Sequence, residues 1–155
     1  MFLKKLALCF GLILFLAMAR PVLAQDSLNL NQITTEQLNM EGPLTQADID
    51  FFVKFMTFST ELMNKPQAPN APEIDEEKET LDFIKANNFT PVRLRYLMEK
   101  IVITISQIKA SPQDLEKFNS ANTPPYLKSS DAEKQIVQGN LNNILTAFQK
   151  IQEKN

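Results

Sequence analysis

The stretch from Thr90 to Ala110 presents apolar side chains on two sides when it is wound as an α-helix, and it constrains the fold more than any other stretch. Because helical residues turn by about 100° each, one stripe collects most of them: Leu94, Leu97, Met98, Ile101, Ile105 and Ile108. A second, smaller set falls nearly opposite: Val92, Tyr96 and Ile103. A helix with two apolar sides needs neighbours on both. We therefore expect this stretch to be the central helix of an α-helical bundle.

Helix starts elsewhere in the chain are marked by hydroxyl residues that can accept a hydrogen bond from the amide three residues on. The residues that begin such signatures are Thr34, Thr45, Thr90, Ser111 and Ser130. Apolar periodicity predicts a long helix from Thr45 to about Asn64, a modest one over Leu81–Lys85, and a last helix from Ser130 to Ile151. We expect an all-α fold, a small irregular helical bundle of three main helices and two or three short ones.

The first 24 residues have the organisation of a secretory signal peptide. A short cationic start, Met1–Lys5, precedes the apolar run Leu6–Ala19, and the residues at the −3 and −1 positions predict cleavage after Ala24. The apolar run is shorter than the roughly 20 residues that a membrane-spanning helix needs, and an uncleaved membrane anchor is the alternative. The expected organisation is a signal peptide over 1–24, a flexible arm over 25–32 and a single helical domain over 33–155.

The chain that follows the leader is acidic. The full sequence has 16 Lys and Arg against 18 Asp and Glu, and three of the basic residues but none of the acidic ones lie in the leader, which leaves a net charge of −5. An acidic chain without a basic run does not suit nucleic acid or an anionic membrane surface. We expect no nucleic-acid partner, and membrane contact only through an uncleaved leader. Export through that leader predicts the periplasm of a Gram-negative cell or secretion.

Missing residue types exclude most common catalytic and metal sites. The chain has no histidine, and its single cysteine, Cys9, lies in the leader. This excludes Cys–His and Ser–His–Asp catalysis, Cys/His zinc sites and thiol redox chemistry. Asp48 and Asp50 point in nearly opposite directions on a helix, which favours a helix-start acid and a surface ion pair. The acidic run Glu73–Glu79 favours a solvated helix start, with weak calcium binding as the alternative. We predict no cofactor and no metal.

Five residues could contact an anion or a partner protein: Arg93, Arg95, Tyr96, Lys100 and Tyr126. Guanidinium groups bind carboxylates and phosphates through paired hydrogen bonds, and Tyr126 follows two prolines in a long loop. The alternative is that both arginines pair with acids of neighbouring helices and that Tyr126 packs down to anchor its loop. Five further residues could line a pocket for an apolar ligand, although such a stripe also suits ordinary core: Phe51, Phe52, Phe55, Met56 and Met98.

These features predict a non-enzymatic interaction module, such as an adaptor, accessory subunit, inhibitor or chaperone-like protein, whose partner is an envelope protein. The second hypothesis is a carrier of an apolar or amphipathic small molecule, held between the Phe-rich and central helices. The third is a hydrolase that uses carboxylates alone, and no spacing of acids favours it. If nothing covers Val92, Tyr96 and Ile103, we expect the partner to bind on that side, which is edged by Arg95 and Glu99.

Overall fold

The computed structural model describes residues 28–65, 75–118 and 123–152, and these residues form seven α-helices, two 3-10 turns and no strand. We number the helices α1 Thr35–Asn39, α2 Gln46–Met63, α3 Glu76–Ala86, α4 Pro91–Lys109, α5 Pro112–Phe118, α6 Asp131–Gly139 and α7 Leu141–Gln152. The 3-10 turns span Leu30–Gln32 and Pro125–Leu127. The predicted all-α fold, a small helical bundle, is confirmed. None of the helices described is long and apolar enough to cross a membrane. The predicted signal peptide and its cleavage site lie outside the described residues.

Hydroxyl side chains cap the helices where the sequence predicts them. Each accepts a hydrogen bond from the amide three residues on: Thr34 at 3.3 Å, Thr45 at 3.3 Å, Thr90 at 3.0 Å, Ser111 at 3.3 Å and Ser130 at 3.2 Å. At Thr34, Thr45 and Ser130 the side chain of the third helical residue also accepts a hydrogen bond from the backbone amide of the capping residue, which completes a capping box. These bonds satisfy amides that have no partner within the helix, so the local sequence fixes where the helices begin.

Helix α3 is longer than the predicted Leu81–Lys85. It begins at Glu76 because Asp75 caps it, accepting the Lys78 amide at 3.0 Å. Acidic residues in its first turn also suit the positive end of the helix dipole. After the helix, Asn88 takes a φ of 59°, a left-handed conformation that asparagine tolerates better than most residues. This residue turns the chain from α3 into α4.

The predicted last helix is two helices, α6 and α7, which meet at Asn140. This residue has φ −107° and ψ 7°, and its side-chain amide donates to Ile136 O at 2.9 Å and to Gln46 Oε1 of α2 at 2.9 Å. Gly139 before it is a weak helix former. The apolar stripe nevertheless stays in the core: Val137, Ile144, Phe148 and Ile151 are buried. The break therefore tethers the α6–α7 junction to α2 without interrupting the core.

The core lies around α2, which packs against both α4 and α7. The Phe52 ring of α2 meets the Phe148 ring of α7 with centroids 5.8 Å apart. Phe51 stacks on Phe89, which immediately precedes α4, at 3.8 Å. Ile108 of the apolar stripe of α4 is half-buried, and the other five residues are buried: Leu94, Leu97, Met98, Ile101 and Ile105. Removing this apolar surface from water is the main favourable contribution to folding.

The second side of α4 is covered by α6 and by residues Thr123–Ser130, a segment that we call the strap. The 3-10 turn of the strap packs on α4, and the Tyr126 ring centroid lies 6.3 Å from that of Tyr96. Tyr96 is consequently buried, while Val92 and Ile103 keep partial exposure. The bundle is therefore closed over the middle of this side.

Candidate functional site

Helix α4 carries a stripe of polar residues on its strap-facing side, which we call the polar seam: Arg93, Tyr96, Lys100, Thr104 and Gln107. Their spacing of three or four residues places them on one side of the helix. All of them except Arg93 are buried. Every buried side-chain nitrogen or oxygen in the described part of the chain has a hydrogen-bond partner. The seam is thus a largely buried polar face that adjoins the apolar stripe of α4.

Arg93 uses all five of its N–H groups on acceptors of the protein itself. Nε donates to Asp48 Oδ1 at 2.9 Å and Nη2 to Asp48 Oδ2 at 2.6 Å, a two-pronged pair. Nη1 donates to Glu41 Oε2 at 3.2 Å and to Gly42 O at 2.7 Å. Nη2 also donates to Pro43 O at 3.0 Å. The guanidinium therefore ties α4 to the start of α2 and to the segment before it, and all its donors are occupied.

Asp48 is the buried partner of this arginine, with 4% of its surface exposed. Its Oδ2 also accepts from the Thr45 amide at 2.8 Å and from the Thr45 hydroxyl at 2.7 Å. Burial raises the pKa of Asp48, but the hydrogen bonds from Arg93 and Thr45 outweigh burial and hold this pKa below its ordinary value. Asp48 is therefore a charged residue with a full set of partners. It is both the predicted helix-start acid and half of a buried ion pair.

Tyr96 is enclosed by charged groups of the seam and its neighbours. The Arg93 guanidinium lies over its ring, 4.7 Å from the centroid, a cation–π contact. Burial, together with the negative charge of Glu133, raises the pKa of the Tyr96 phenol. The ring is therefore a neutral packing element between two ion pairs.

Lys100 and Glu133 form the second buried ion pair, which joins α4 to α6. Lys100 Nζ lies 3.2 Å from Glu133 Oε1 and donates to Lys128 O of the strap at 2.6 Å. Glu133 also accepts from the Leu44 amide at 3.1 Å, the Ser130 amide at 2.7 Å and the Ser130 hydroxyl at 3.0 Å. Burial lowers the pKa of Lys100. Burial raises the pKa of Glu133, but the two amides and the ammonium group outweigh burial and lower it.

Two further seam residues bind the strap directly. Thr104 Oγ1 lies 2.7 Å from Ser129 Oγ, and Gln107 Nε2 donates to Leu127 O at 3.0 Å. Together with the ammonium group, these side chains hold three consecutive strap residues. The 3-10 turn of the strap has no buried residue. Beside the ring contact of Tyr126 with Tyr96, the strap is therefore attached to the seam through two backbone carbonyls and a hydroxyl.

A second cluster lies beside the seam and centres on Glu99. Arg95 Nε donates to one carboxylate oxygen of Glu99 and the Tyr126 hydroxyl donates to the other. Arg95 Nη1 donates to Leu30 O at 2.7 Å, and the Tyr126 amide donates to Asn39 Oδ1 at 3.2 Å. Burial and the hydrogen bond to Glu99 raise the pKa of Tyr126. This cluster joins the strap, α1 and the first 3-10 turn to α4.

The structure brings the five predicted contact residues together on or beside α4, in two groups. Arg93, Tyr96 and Lys100 lie in the polar seam, and Arg95 and Tyr126 lie in the second cluster. Contact between the two tyrosine rings connects the groups. Arg93 pairs with Asp48 of α2 and with Glu41, and Tyr126 is half-buried, as in the alternative that the sequence left open. Arg95 differs from that alternative, because the acid that it pairs with, Glu99, lies on α4 itself.

The five residues considered for an apolar pocket belong to the connected core: Phe51, Phe52, Phe55, Met56 and Met98. Rings from α2 and α3 meet there, with the centroids of Phe51 and Phe55 at 6.1 and 6.2 Å from that of Phe83. These side chains contribute to packing among the helices.

Sequence reasoning missed four residues that complete the polar seam and its ion pairs: Glu41, Thr104, Gln107 and Glu133. It placed Glu99 only at the edge of the expected partner-binding side. One signal was present, because Thr104 and Gln107 continue the spacing of Lys100 along one side of α4. A second was the acid at the third position of two capping boxes, Asp48 and Glu133. Neither signal identifies the cation that each acid meets, because the partners lie far apart in the sequence.

We expect acid to unfold the protein through these two carboxylates. The folded-state pKa values of Asp48 and Glu133 lie below their ordinary values of 3.8 and 4.5, so the unfolded chain binds more protons in that range. The stabilisation is complete above the ordinary values and is lost as the pH falls through the folded-state values. The free energy of unfolding, measured with urea between pH 2 and 8, should be flat from about pH 6 to 8, since the chain has no histidine, and should fall below about pH 4.

An Asp48→Asn variant is the matched control for this pH dependence. It keeps the shape of the side chain but removes one of the two carboxylates with a lowered pKa. The free energy of unfolding of this variant should therefore fall less steeply below about pH 4 than that of the wild type. An equally steep fall of the free energy of unfolding in the two proteins would contradict the assignment to Asp48.

The charged groups of the seam and the second cluster hold elements of the chain together and position the strap. In residues 28–65, 75–118 and 123–152, no group of three or more His, Cys, Asp or Glu side chains could hold a metal ion. No protein-family model matches this chain, and no curated protein or solved structure matches it either.

Proposed function

We propose that this protein is an exported, non-enzymatic helical interaction module that binds a protein of the cell envelope. The observation that carries the proposal is Met40, whose surface is 82% exposed and which is the only exposed large hydrophobic residue in the described part of the chain. Methionine is enriched in protein interfaces, and its unbranched side chain adapts to varied partners. A single exposed methionine is not a binding site by itself, so a contact surface also needs apolar groups from neighbouring residues.

Met40 stands beside the strap. It directly follows α1, and the preceding residue, Asn39, accepts the Tyr126 amide at 3.2 Å. This hydrogen bond holds the end of α1 against the strap, where Pro125 is exposed and Tyr126 is half-buried. We call Met40, Pro125 and Tyr126 the contact surface. It combines apolar groups from two separate elements of the fold.

The contact surface rests on a fixed base. Pro125 has a restricted φ, and the Tyr126 hydroxyl is bonded to Glu99, which Arg95 also holds. A surface that is ordered before binding loses less conformational entropy when a partner docks. The buried ion pairs of the polar seam thus support an interaction role through the strap, and the proposal assigns them no chemical step.

The leader supports the location of the proposed partner. Its charged start, apolar run and small residue at Ala24 are those of a signal peptide, and the chain beyond it has no cysteine. Packing rather than disulfide bonds then stabilises the exported chain. An exported module with an apolar contact surface would meet its partner in the envelope.

Mild crosslinking in intact cells tests the proposal. We expect the wild-type protein, with Gln25 as its first residue, to crosslink to an envelope protein. A Met40→Glu substitution places a charge at the contact surface and should lower the yield of that product about tenfold, which corresponds to a loss of about 1.4 kcal/mol in binding.

Ala86→Glu is the control, since Ala86 is also exposed but ends a different helix, α3. This variant should crosslink as the wild type does. Recovery of the wild-type protein without a partner, or equal yields from the Met40→Glu variant and the wild type, would rule out the proposed contact surface.

A further inference from the structure

We propose that the part of the polar seam formed by Lys100, Thr104 and Gln107 is a recognition site for an extended peptide segment of a partner protein. In the isolated protein the chain's own strap occupies this site. The inference goes beyond the contact surface at Met40, because it concerns the side of α4 that the strap covers. It does not require the contact surface to bind anything, and because release of the strap would separate Pro125 and Tyr126 from Met40, the two binding modes exclude each other in one molecule.

The contacts between the seam and the strap are mostly ones that any peptide could make. Lys100 Nζ donates to Lys128 O at 2.6 Å and Gln107 Nε2 donates to Leu127 O at 3.0 Å. The seam therefore binds two successive backbone carbonyls, which every peptide possesses. Peptide-recognition sites commonly take affinity from main-chain hydrogen bonds and selectivity from neighbouring side-chain contacts. Here the neighbouring contact is the hydroxyl pair of Thr104 and Ser129, 2.7 Å apart.

The conformation of the strap indicates which class of peptide fits the seam. Pro124 has φ −52° and ψ 138°, Lys128 has φ −78° and ψ 117°, and Ser130 has φ −69° and ψ 164°. These values are extended or polyproline-like, on either side of one 3-10 turn. Proline reduces the entropy that such a segment loses when it is ordered. The peptide class that fits is therefore a proline-containing segment with an aromatic residue and a following small hydroxyl residue.

The strap withdraws few buried side chains of its own when it leaves, although Tyr96 of α4 would lose the cover of the Tyr126 ring. Its 3-10 turn has no buried residue, and Tyr126 and Leu127 are half-buried. Seam donors and strap carbonyls would exchange their mutual hydrogen bonds for bonds with water. Segments with few buried apolar contacts open at lower free energy than packed helices do.

The recognition groups would stay in place after the strap leaves. Lys100 remains 3.2 Å from Glu133 Oε1 of α6. Glu133 is held by the Leu44 amide, which donates to it at 3.1 Å, and by Ser130, the last strap residue, which stays in place as the cap of α6 while the residues before it detach. Thr104 Oγ1 also donates to Lys100 O within α4 at 2.7 Å. An ordered set of donors on a rigid helix needs little rearrangement to accept a second peptide.

Peptide titration of the mature protein, followed by NMR, tests the inference. The probe is a synthetic peptide with the strap sequence, residues 123–130, blocked at both ends. A Tyr126→Phe/Ser129→Ala variant removes two hydroxyl bonds of the strap but leaves the seam unchanged. Because the bound strap reduces the fraction of competent protein, we expect this variant to bind the peptide about tenfold more tightly than the wild type. The titration should extend to millimolar peptide concentrations, because the peptide competes with the tethered strap, whose effective concentration is of that order.

Substitutions in the seam provide the second arm. In the strap-weakened background, Gln107→Met and Thr104→Val should each weaken peptide binding about tenfold, the loss of roughly one hydrogen bond. Ser106→Ala, on the same helix but outside the seam, should leave it unchanged. Met40→Glu should also leave it unchanged, so failure of this inference and failure of the contact surface are distinguishable.

Hydrogen exchange of the wild-type protein keeps the test independent of the variants. The Leu127 and Lys128 amides, which donate within the 3-10 turn at 3.0 and 3.1 Å, should exchange about a hundredfold faster than the Ile101 and Ile105 amides of α4. Equal exchange rates, or no peptide binding by the strap-weakened variant, would overturn the inference. A dimer of that variant without peptide would assign the seam to the strap of a second copy, and would overturn the assignment to a partner protein.

Discussion

Replacing Arg93 with methionine should lower the free energy of unfolding by about 3–5 kcal/mol, the cost of breaking a buried ion pair by removing one partner. The reason is that Asp48, with only 4% of its surface exposed, would keep its charge while losing its two hydrogen bonds from the guanidinium. The carbonyls of Gly42 and Pro43 would lose their donors at the same time. Urea unfolding at pH 7 measures this loss, with the midpoint falling and the slope unchanged.

Arg95→Met is the matched control, because it is the same substitution two residues away, on nearly the opposite side of the same helix. The Arg95 side chain is more exposed than that of Arg93, 25% against 14%, and Glu99 keeps the Tyr126 hydroxyl as a donor. We expect this variant to lose only about 1 kcal/mol. Equal losses for the two arginine variants would contradict the special role of the buried pair.

A second substitution separates charge from packing. In the Arg93→Met background, Asp48→Asn removes the unpaired charge but keeps a side-chain acceptor for Thr45. The double variant should therefore be less destabilised than the sum of the two single variants. Strict additivity would show that the arginine stabilises the fold through its contacts with Glu41, Gly42 and Pro43 rather than through Asp48.

The helices could be predicted from the sequence because their starting signals are local. A cap such as Thr45 and its partner Asp48 are separated by three residues, so the sequence shows both members of the pair. The break at Asn140 could not be predicted from local signals, because Gln46, whose side chain accepts a hydrogen bond from that of Asn140, belongs to α2. The apolar stripe from Val137 to Ile151 continues across that break and predicts one helix.

The polar seam could be predicted only in part. The sequence identified Arg93, Tyr96 and Lys100 as a group, because helical spacing is visible in one segment. Their acidic partners could not be assigned, since Asp48 lies far before α4 in the sequence and Glu133 far after it. A polar residue within a helix usually faces solvent, and only tertiary packing shows that Thr104 and Gln107 are buried beneath the strap.

Replacing Glu133 with methionine should lower the free energy of unfolding by about 3–5 kcal/mol. Lys100 has only 2% of its surface exposed, and its ammonium group would keep only the Lys128 carbonyl as an acceptor. The amides of Leu44 and Ser130 would lose their acceptor as well. Because Glu133 completes the capping box of α6, we expect the α6 amides to lose protection from hydrogen exchange before those of α2.

Lys100→Met tests whether the two halves of this ion pair contribute equally. Removing the ammonium group leaves Glu133 with three donors, namely two amides and the Ser130 hydroxyl, so its carboxylate stays partnered. We expect a loss of only about 1–2 kcal/mol, measured by urea unfolding beside Glu133→Met. If the two variants were equally destabilised, the charge pair itself would dominate. A smaller loss for Lys100→Met would show that the carboxylate matters mainly as the acceptor that joins Leu44, Ser130 and α6, and the ammonium group mainly as a donor to the strap.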